Sequence, residues 1–448
     1  MKVRHTCHLP QSKTDRCYVI TQVYLPAIVE HVPAEVVRAF SAFLDFTYLV
    51  RRSVFTMNTL AEIDLALSRF HRHREVFRRL GVRPTGFSLP RQHSMKHYPR
   101  GIMIFGSPNG LCTSITESKH IKAVKEPYRR SSRHNALQQM LLTNQRLEKL
   151  AAARSDFAAR GMLDGSFLPM AEAEGGDEDG VPEGDESMCD AEDVPGPPIE
   201  AFVTMARTPR TSCMLISFSP SLSSIAHIER NYPRNIIKLG QHIGHPELII
   251  HVRRFLFDQL YPDSPLTSND VTIEQCPYFY GRVDVFHSAV ATYHAPSDLS
   301  GEGGMHRERI RAAPRWWNGR PRYDSVFLDK DSSLPGLRGL YVARVRLLFS
   351  FSHRKTQYPC ALVEWFLVIG DQPDDLTGLW VVEPDVDENG RRATSVIHLD
   401  SIVRAAHLLP VFGDGFIPVD FDFSYSLDAF QSFYVNKYAD HHANEIAF

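Results

Sequence analysis

Between Ala34 and Val50 the positions Val36, Val37, Phe40, Phe43, Leu44 and Thr47 recur at three- and four-residue spacing, which predicts a helix with a core-facing side. Thr59 followed by Glu62 reads as a capping box that opens a second helix. Leu60, Ile63, Leu67, Phe70 and Phe77 mark its apolar face, and Gly81 offers a stop. Arg69, Arg72, Arg74, Arg78 and Arg79 fall on the other face, where a solvated surface and a DNA-backbone contact are both open readings. Pro90 to Phe105 reads as a short helix or strand, and Gly106 to Gly110 as a turn dense in helix breakers. From His134 to Arg160 a long helix is expected, with Leu137, Met140, Leu141, Leu147 and Leu150 as a packing stripe.

Beyond residue 200 the pattern changes. Pro246 to Leu260 predicts a helix with Leu248, Ile249, Val252, Phe255 and Leu256 apolar. After Tyr280 the period becomes two. In Gly339 to Ser352, Val345, Leu347, Phe349 and Phe351 are expected to face inward, and Arg344, Arg346, Ser350 and Ser352 outward. Cys360 to Ile369 and Leu379 to Glu383 read as further strands, Asn389-Gly390 as a hairpin turn before Ala393 to Leu399, and Ser401 to Leu409 as a closing helix. Short strands joined by tight turns predict a small antiparallel barrel at about 280–415.

Charge divides the chain more sharply than its net value of -2 suggests. Arg51 to Arg160 holds 21 Lys and Arg against 7 Asp and Glu, whereas Gly161 to Glu200 holds 13 acids and no Lys or Arg. The first segment suits a polyanion; the second, rich in Gly and Pro, reads as an acidic disordered linker. Three regions are therefore expected: 1–160, a linker at 161–200, and 201–448. No apolar run reaches the roughly 20 residues of a membrane span, and the first residues lack a signal-peptide core. The seven cysteines are scattered without a C-x-x-C pair, which favours reduced thiols.

Candidate chemistry gathers in Phe87 to Arg133, where Glu117 sits in a field of His, Lys and Arg. The runs SLPRQHSMKHY and FGSPNGLCTSITESKHIKAVKEP resemble the C-terminal part of the catalytic domain of Plavaka-type transposases, CACTA-like elements of mushroom-forming fungi. The final NKYADHHANEIAF also resembles the end of those proteins. The resemblance implies an α+β protein that begins with a mostly helical, truncated part of an RNase H-like core. In that family three carboxylates hold two metal ions, Mg2+ or Mn2+, for in-line attack on phosphodiesters.

By position Glu117 is the third carboxylate, both catalytic residue and metal ligand, and the first two Asp are expected upstream. Arg91, His97, Lys119, His120, Lys122, Lys125, Arg129, Arg130 and Arg133 are the implied DNA contacts, and a nuclear location follows. The expectation is a DNA-binding transposase fragment without autonomous catalysis. Two alternatives stand beside it. Asp15, Asp45 and Asp64 could rebuild a nuclease, or the barrel could tether chromatin or transposase subunits through a methyl-lysine cage drawn from Trp316, Trp317, Tyr341, Trp365 and Trp380. His5, Cys7, His8 and Cys17 offer zinc ligands without a second pair at ligand spacing, and Asp440, His441, His442 and Glu445 read as a solvated tail ahead of a metal site.

Overall fold

The computed structural model describes residues 23–111, 120–160, 201–205, 229, 231–298, 304–316, 319–388, 390–413 and 417–448. Between 23 and 160 every regular element described is helical. The helices include α1 (Ala34–Leu49), α2 (Met57–His73), α3 (Glu75–Arg79), α4 (Pro90–Ser94), α5 (Tyr98–Phe105), α6 (Glu126–Arg130) and α7 (Ala136–Ala159). The predicted capping box is shifted: α2 is capped by Thr56, whose side chain accepts from the Thr59 amide. Pro90 to Phe105 is helical, and Gly106, at φ 81°, ends α5 in the left-handed conformation that glycine adopts without steric cost. None of the described helices is long and apolar enough to cross a membrane.

The remainder is mixed. Helices α8 (Ile236–His242) and α9 (Leu248–Leu260) precede most strands, and α10 (His441–Ala447) follows them. A four-stranded sheet runs in the order β1 (Ala201–Met205), β3 (Ser288–His294), β4 (Met305–Trp316), β5 (Arg320–Tyr323). The larger sheet runs β11 (Ile402–Ala406), β6 (Ser325–Asp329), β7 (Leu340–His353), β8 (Thr356–Ile369), β9 (Val381–Pro384), β13 (Phe433–Val435), β12 (Leu408–Pro410). On it, β2 (Val283–Phe286) also pairs with β7, and β10 (Thr394–His398) with β8, all antiparallel.

Its first and last strands, β11 and β12, are consecutive in the chain with only His407 between them, so the sheet curls nearly closed into a barrel-like form. The Asn436 amide donates to the His407 carbonyl at 2.9 Å where the two edges approach. The helix expected at Ser401 to Leu409 is therefore corrected to two strands. Their backbone groups pair with β6 and β13, partners far away in sequence, and local propensity does not decide the outcome.

A bulge in β7 corrects the predicted strand faces. Val345 pairs with Val363 and Leu347 with Leu362, which leaves Arg346 as the extra residue. Val345 consequently joins Ala289, Ile310 and Ala343 beneath the four-stranded sheet, while Leu347, Phe349 and Phe351 pack under Val252 and Phe255 of α9. Both faces of β7 are buried, and Arg344 is buried with them. It is held by Asp428 at 2.6 Å, with Glu364 at 3.9 Å, and Arg346 binds Glu364 at 3.2 Å. The outward-facing assignment is thus overturned for Arg344, which is buried between Glu364 and the half-exposed Asp428, while Arg346 is partly buried beside Glu364.

Helix α1 lies between two cores. Ala42, Phe46 and Val50 pack on Ile63, Leu67 and Phe70 of α2 and on Ile102 of α5. Val37, Leu44 and Tyr48, on another side, pack against Leu379, Leu409, Tyr434 and Tyr438 of the second region. Phe40 and Phe43 are partly exposed instead, edge-on to Phe77 and tilted against Phe70. The 23–160 and 201–448 segments therefore share apolar core.

Candidate nucleic-acid interface

The basic segment separates into two groups once its charges are traced to their partners. Arg69 binds Asp45 at 3.0 Å, Arg78 binds Glu75 at 3.0 Å, and Arg79 binds Glu35 at 3.3 Å. Arg74 donates to the Gln92 side chain at 2.6 Å, with its guanidinium 4.6 Å from the Phe87 ring centre. Most of the arginine face of α2 and α3 is thus paired with neighbouring groups, with Arg78 and Arg79 in exposed ion pairs, and only Arg72 among the five lacks such a contact among the described residues.

Downstream the arrangement differs. Arg91 lies on α4, His97 on the tight turn between α4 and α5, and His120 and Lys125 flank and close a π-helical turn, Ile121–Lys125. Arg129 and Arg130 end α6, and Arg133 lies in the connection to α7 at φ 64°. All seven are exposed, and none is paired with a carboxylate among the described residues. Lys122 lies on the π-helical turn. Glu117 and Lys119 fall outside the described residues, as do Asp15 and the His5, Cys7, His8, Cys17 group.

The part of the group on α4 and the turn into α5, with Arg91 and His97, stands on a packed base. Met95 and Ile102 are buried with Phe46 and Phe70, and Tyr98 meets the Phe46 ring edge-on at 5.7 Å. Past α5, Ser107 donates to the Arg52 carbonyl at 3.0 Å, and Asn109 donates to the carbonyls of Arg51 at 2.5 Å and Ser297 at 3.3 Å. The turn expected at Gly106 to Gly110 is thus corrected to Gly106 and Ser107 followed by a short helix, Pro108–Leu111, and this segment links the basic region to the second one. Asn144 of α7 donates to the Ala123 carbonyl at 2.8 Å, fastening the long helix to the π-helical turn. The apolar stripe of α7 is corrected: Leu137, Leu141, Leu147 and Leu150 are exposed.

The remaining candidates disperse. Asp45 is partly buried, with one oxygen 2.9 Å from Lys437 and 2.8 Å from the Tyr438 hydroxyl and the other facing Arg69. Burial alone would push its carboxyl up, but Lys437, Tyr438 and Arg69 outweigh that and hold it below the ordinary carboxylate value. Asp64 is exposed on α2. With Asp45 spoken for by three donors, the pair does not fit a two-metal site, and among the described residues no group of three His, Cys, Asp or Glu is placed to hold a metal.

The aromatic residues likewise form no cage among the described residues. Trp380 is buried, Trp365 donates to the Ser395 hydroxyl at 2.8 Å and meets Tyr341 edge-on, and Trp316 lies under Arg311 and Arg322. Trp317 is outside the described residues.

The tail is neither solvated nor a ligand cluster. Asp440 caps α10 and takes both terminal nitrogens of buried Arg404, at 2.7 and 2.6 Å. The same guanidinium reaches Glu308 at 3.2 Å and donates to His442 Nδ1 at 3.2 Å, while His442 stacks on Tyr293. Ser297 donates to Glu445. Burial is the main force that lowers His441 and His442 to about 4, so both rings stay neutral near pH 7. Asp298 accepts from the backbone amides of His441 and His442 at 3.2 and 3.4 Å. Sequence reasoning singled out Asp440 but missed Asp298, Glu308 and Arg404, which are far from it in the chain. No family model and no curated protein matches this sequence.

Proposed function

We propose that this chain binds DNA through phosphate contacts made by the basic surface of residues 91–133, as a transposase-derived protein acting in the nucleus. The observation that carries the proposal is the partition of charge just described. The arginines of α2 and α3 are mostly neutralised by neighbouring groups, whereas Arg91, His97, His120, Lys125, Arg129, Arg130 and Arg133 face solvent without a carboxylate partner among the described residues. Exposed cations without a carboxylate partner among the described residues suit a phosphate backbone, which supplies a regular line of negative charge.

The resemblance of the surrounding runs to Plavaka-type transposases supports the same reading. It makes residues 1–160 the C-terminal, mostly helical part of an RNase H-like catalytic domain, with Lys119 and Lys122 as further phosphate contacts. Glu117 is then the retained acid that would meet Mg2+ or Mn2+. Since Asp45 is committed to Lys437, Arg69 and Tyr438, catalysis by the described residues is not part of the proposal.

The test is fluorescence anisotropy with a DNA duplex from low to physiological salt. Replacing Arg129, Arg130 and Arg133 together with Ala should flatten the slope of log affinity against log salt by about 2 to 3, near 0.9 per lost phosphate contact. An unchanged slope assigns these arginines to a solvated surface and removes the proposal's main support.

A further inference from the structure

A second aromatic and basic surface lies in the segment that enters β2. Tyr278 and Tyr280 are 60% and 82% exposed, and their rings are parallel within 3° at a centroid distance of 6.2 Å. Exposed tyrosines in loops usually turn their rings independently; this pair is fixed from below. Phe279, between them, is buried and packs 4.7 Å from the Phe351 ring, which forces both neighbours outward. The Arg253 guanidinium lies 4.3 Å from the Tyr278 ring centre and is itself held by the carbonyls of Ile273, Cys276 and Pro277. Gly281 completes the seat, since a Cβ there would lie 2.6 Å from the Phe279 ring and 3.4 Å from the Ser352 carbonyl.

The rim of this platform is cationic. Arg282 is exposed next to Gly281, and the first pair of the β2–β7 ladder, Val283 with Phe351, lies at the end of β7 that leads into the β7–β8 turn. That turn is Arg354-Lys355, closed by the His353–Thr356 pair. Both residues have positive φ, 49° and 70°, the conformation of a two-residue hairpin that strongly prefers Asn-Gly. Two long cations thus occupy positions where the backbone favours small residues, and both are exposed without a carboxylate partner among the described residues. Backbone strain retained at a charged, exposed turn points to use of the side chains.

We infer that Tyr278 and Tyr280 form a stacking platform for unpaired nucleic-acid bases, with Arg282, Arg354 and Lys355 taking the adjoining phosphates. Ring faces accept any base, and the cations track the backbone, so the site selects single strands over duplex with little sequence preference. Arg253 acts as a positioning residue that holds Tyr278 from behind. The inference is independent of the basic surface at 91–133, which would meet duplex and single strand alike through phosphates.

The experiment uses the full chain and a labelled oligothymidylate of about 12 nucleotides, with an abasic strand of equal charge and a duplex as comparisons. Tyr280→Ala should weaken oligothymidylate binding about 5- to 150-fold without changing the melting temperature or the affinity for duplex. Tyr280→Trp should restore binding, and its indole fluorescence should be quenched by oligothymidylate and not by the abasic strand. Replacing Arg354 and Lys355 with Asn and Gly should lower the salt dependence of single-strand binding while keeping the turn folded. Equal binding of the abasic strand and oligothymidylate by the unaltered protein overturns the inference. So does a Tyr280→Ala protein that binds oligothymidylate normally, or preference of the site for an acidic proline-rich peptide.

Discussion

The hydroxyl of Tyr438 donates to Asp45 at 2.8 Å, joining α1 to a segment 393 residues later in the chain. Lys437 reaches the same oxygen at 2.9 Å, and Tyr48 returns a hydrogen bond from its hydroxyl to the Tyr438 carbonyl at 2.5 Å. Tyr438 is fully buried and Lys437 is buried beside it, so both depend on Asp45 for a polar partner.

Removing Asp45 should therefore be costly. Asp45→Ala leaves the buried Lys437 ammonium without its counterion, and a loss of about 3 to 5 kcal/mol is expected by urea denaturation. Because the folded-state value of Asp45 is depressed, its contribution is present above the unfolded carboxylate range and disappears as pH falls through the folded value. The difference between wild type and Asp45→Asn should accordingly shrink on acidification; a difference independent of pH would contradict the linkage.

The shared core predicts dependence between the two regions. A chain of residues 200–448 alone would expose Leu379, Leu409, Tyr434 and Tyr438 where α1 now covers them. Its melting temperature should lie below that of the full protein. In the full protein, Leu44→Ala should cost about 2 to 5 kcal/mol. Equal thermal stability of the isolated part and the full chain would mean that the α1 contact contributes nothing.

Arg344 is expected to behave as a core residue. Arg344→Ala leaves Glu364 buried beside Arg346 alone and should cost about 3 to 5 kcal/mol, comparable with Phe349→Ala. Denaturant midpoints of the two variants provide the comparison. A change within about 0.5 kcal/mol for Arg344→Ala would place that side chain at the surface after all.

His442 gives a pH-dependent signature. Folded His442 stays neutral down to about 4, while the unfolded chain takes up a proton near pH 6.5, so its contribution to stability falls as pH drops between those values. The slope is about 1.4 kcal/mol per pH unit. His442→Gln, which can still accept from Arg404, should flatten the stability profile by about that amount. Glu308, whose carboxyl is pushed up mainly by burial, works in the opposite direction, so the readout is the difference between wild type and variant.

Cleavage of supercoiled plasmid by the chain with Mg2+ or Mn2+ is expected to be undetectable, because Asp45 is engaged by Lys437, Arg69 and Tyr438. Nicking abolished by Glu117→Ala would reverse that expectation.

Helical and alternating periods in the sequence alone identified α1, α9, β7, β8 and β9, since these patterns follow from local geometry that each segment carries itself. Charge counts likewise located the basic segment, but counts cannot tell paired from free: Glu35, Asp45 and Glu75 neutralise Arg79, Arg69 and Arg78 only after folding. The extra residue Arg346 has no local signal either, because a bulge is defined by the partner strand, and it moved Val345 to a different core from Leu347. Residues 402–410 could suit helix or strand by their apolar run, and the edges offered by β6 and β13 decided for strand. The stacked Tyr278 and Tyr280 were equally silent in sequence, since what fixes them is Arg253 from a neighbouring helix and the burial of Phe279 against β7.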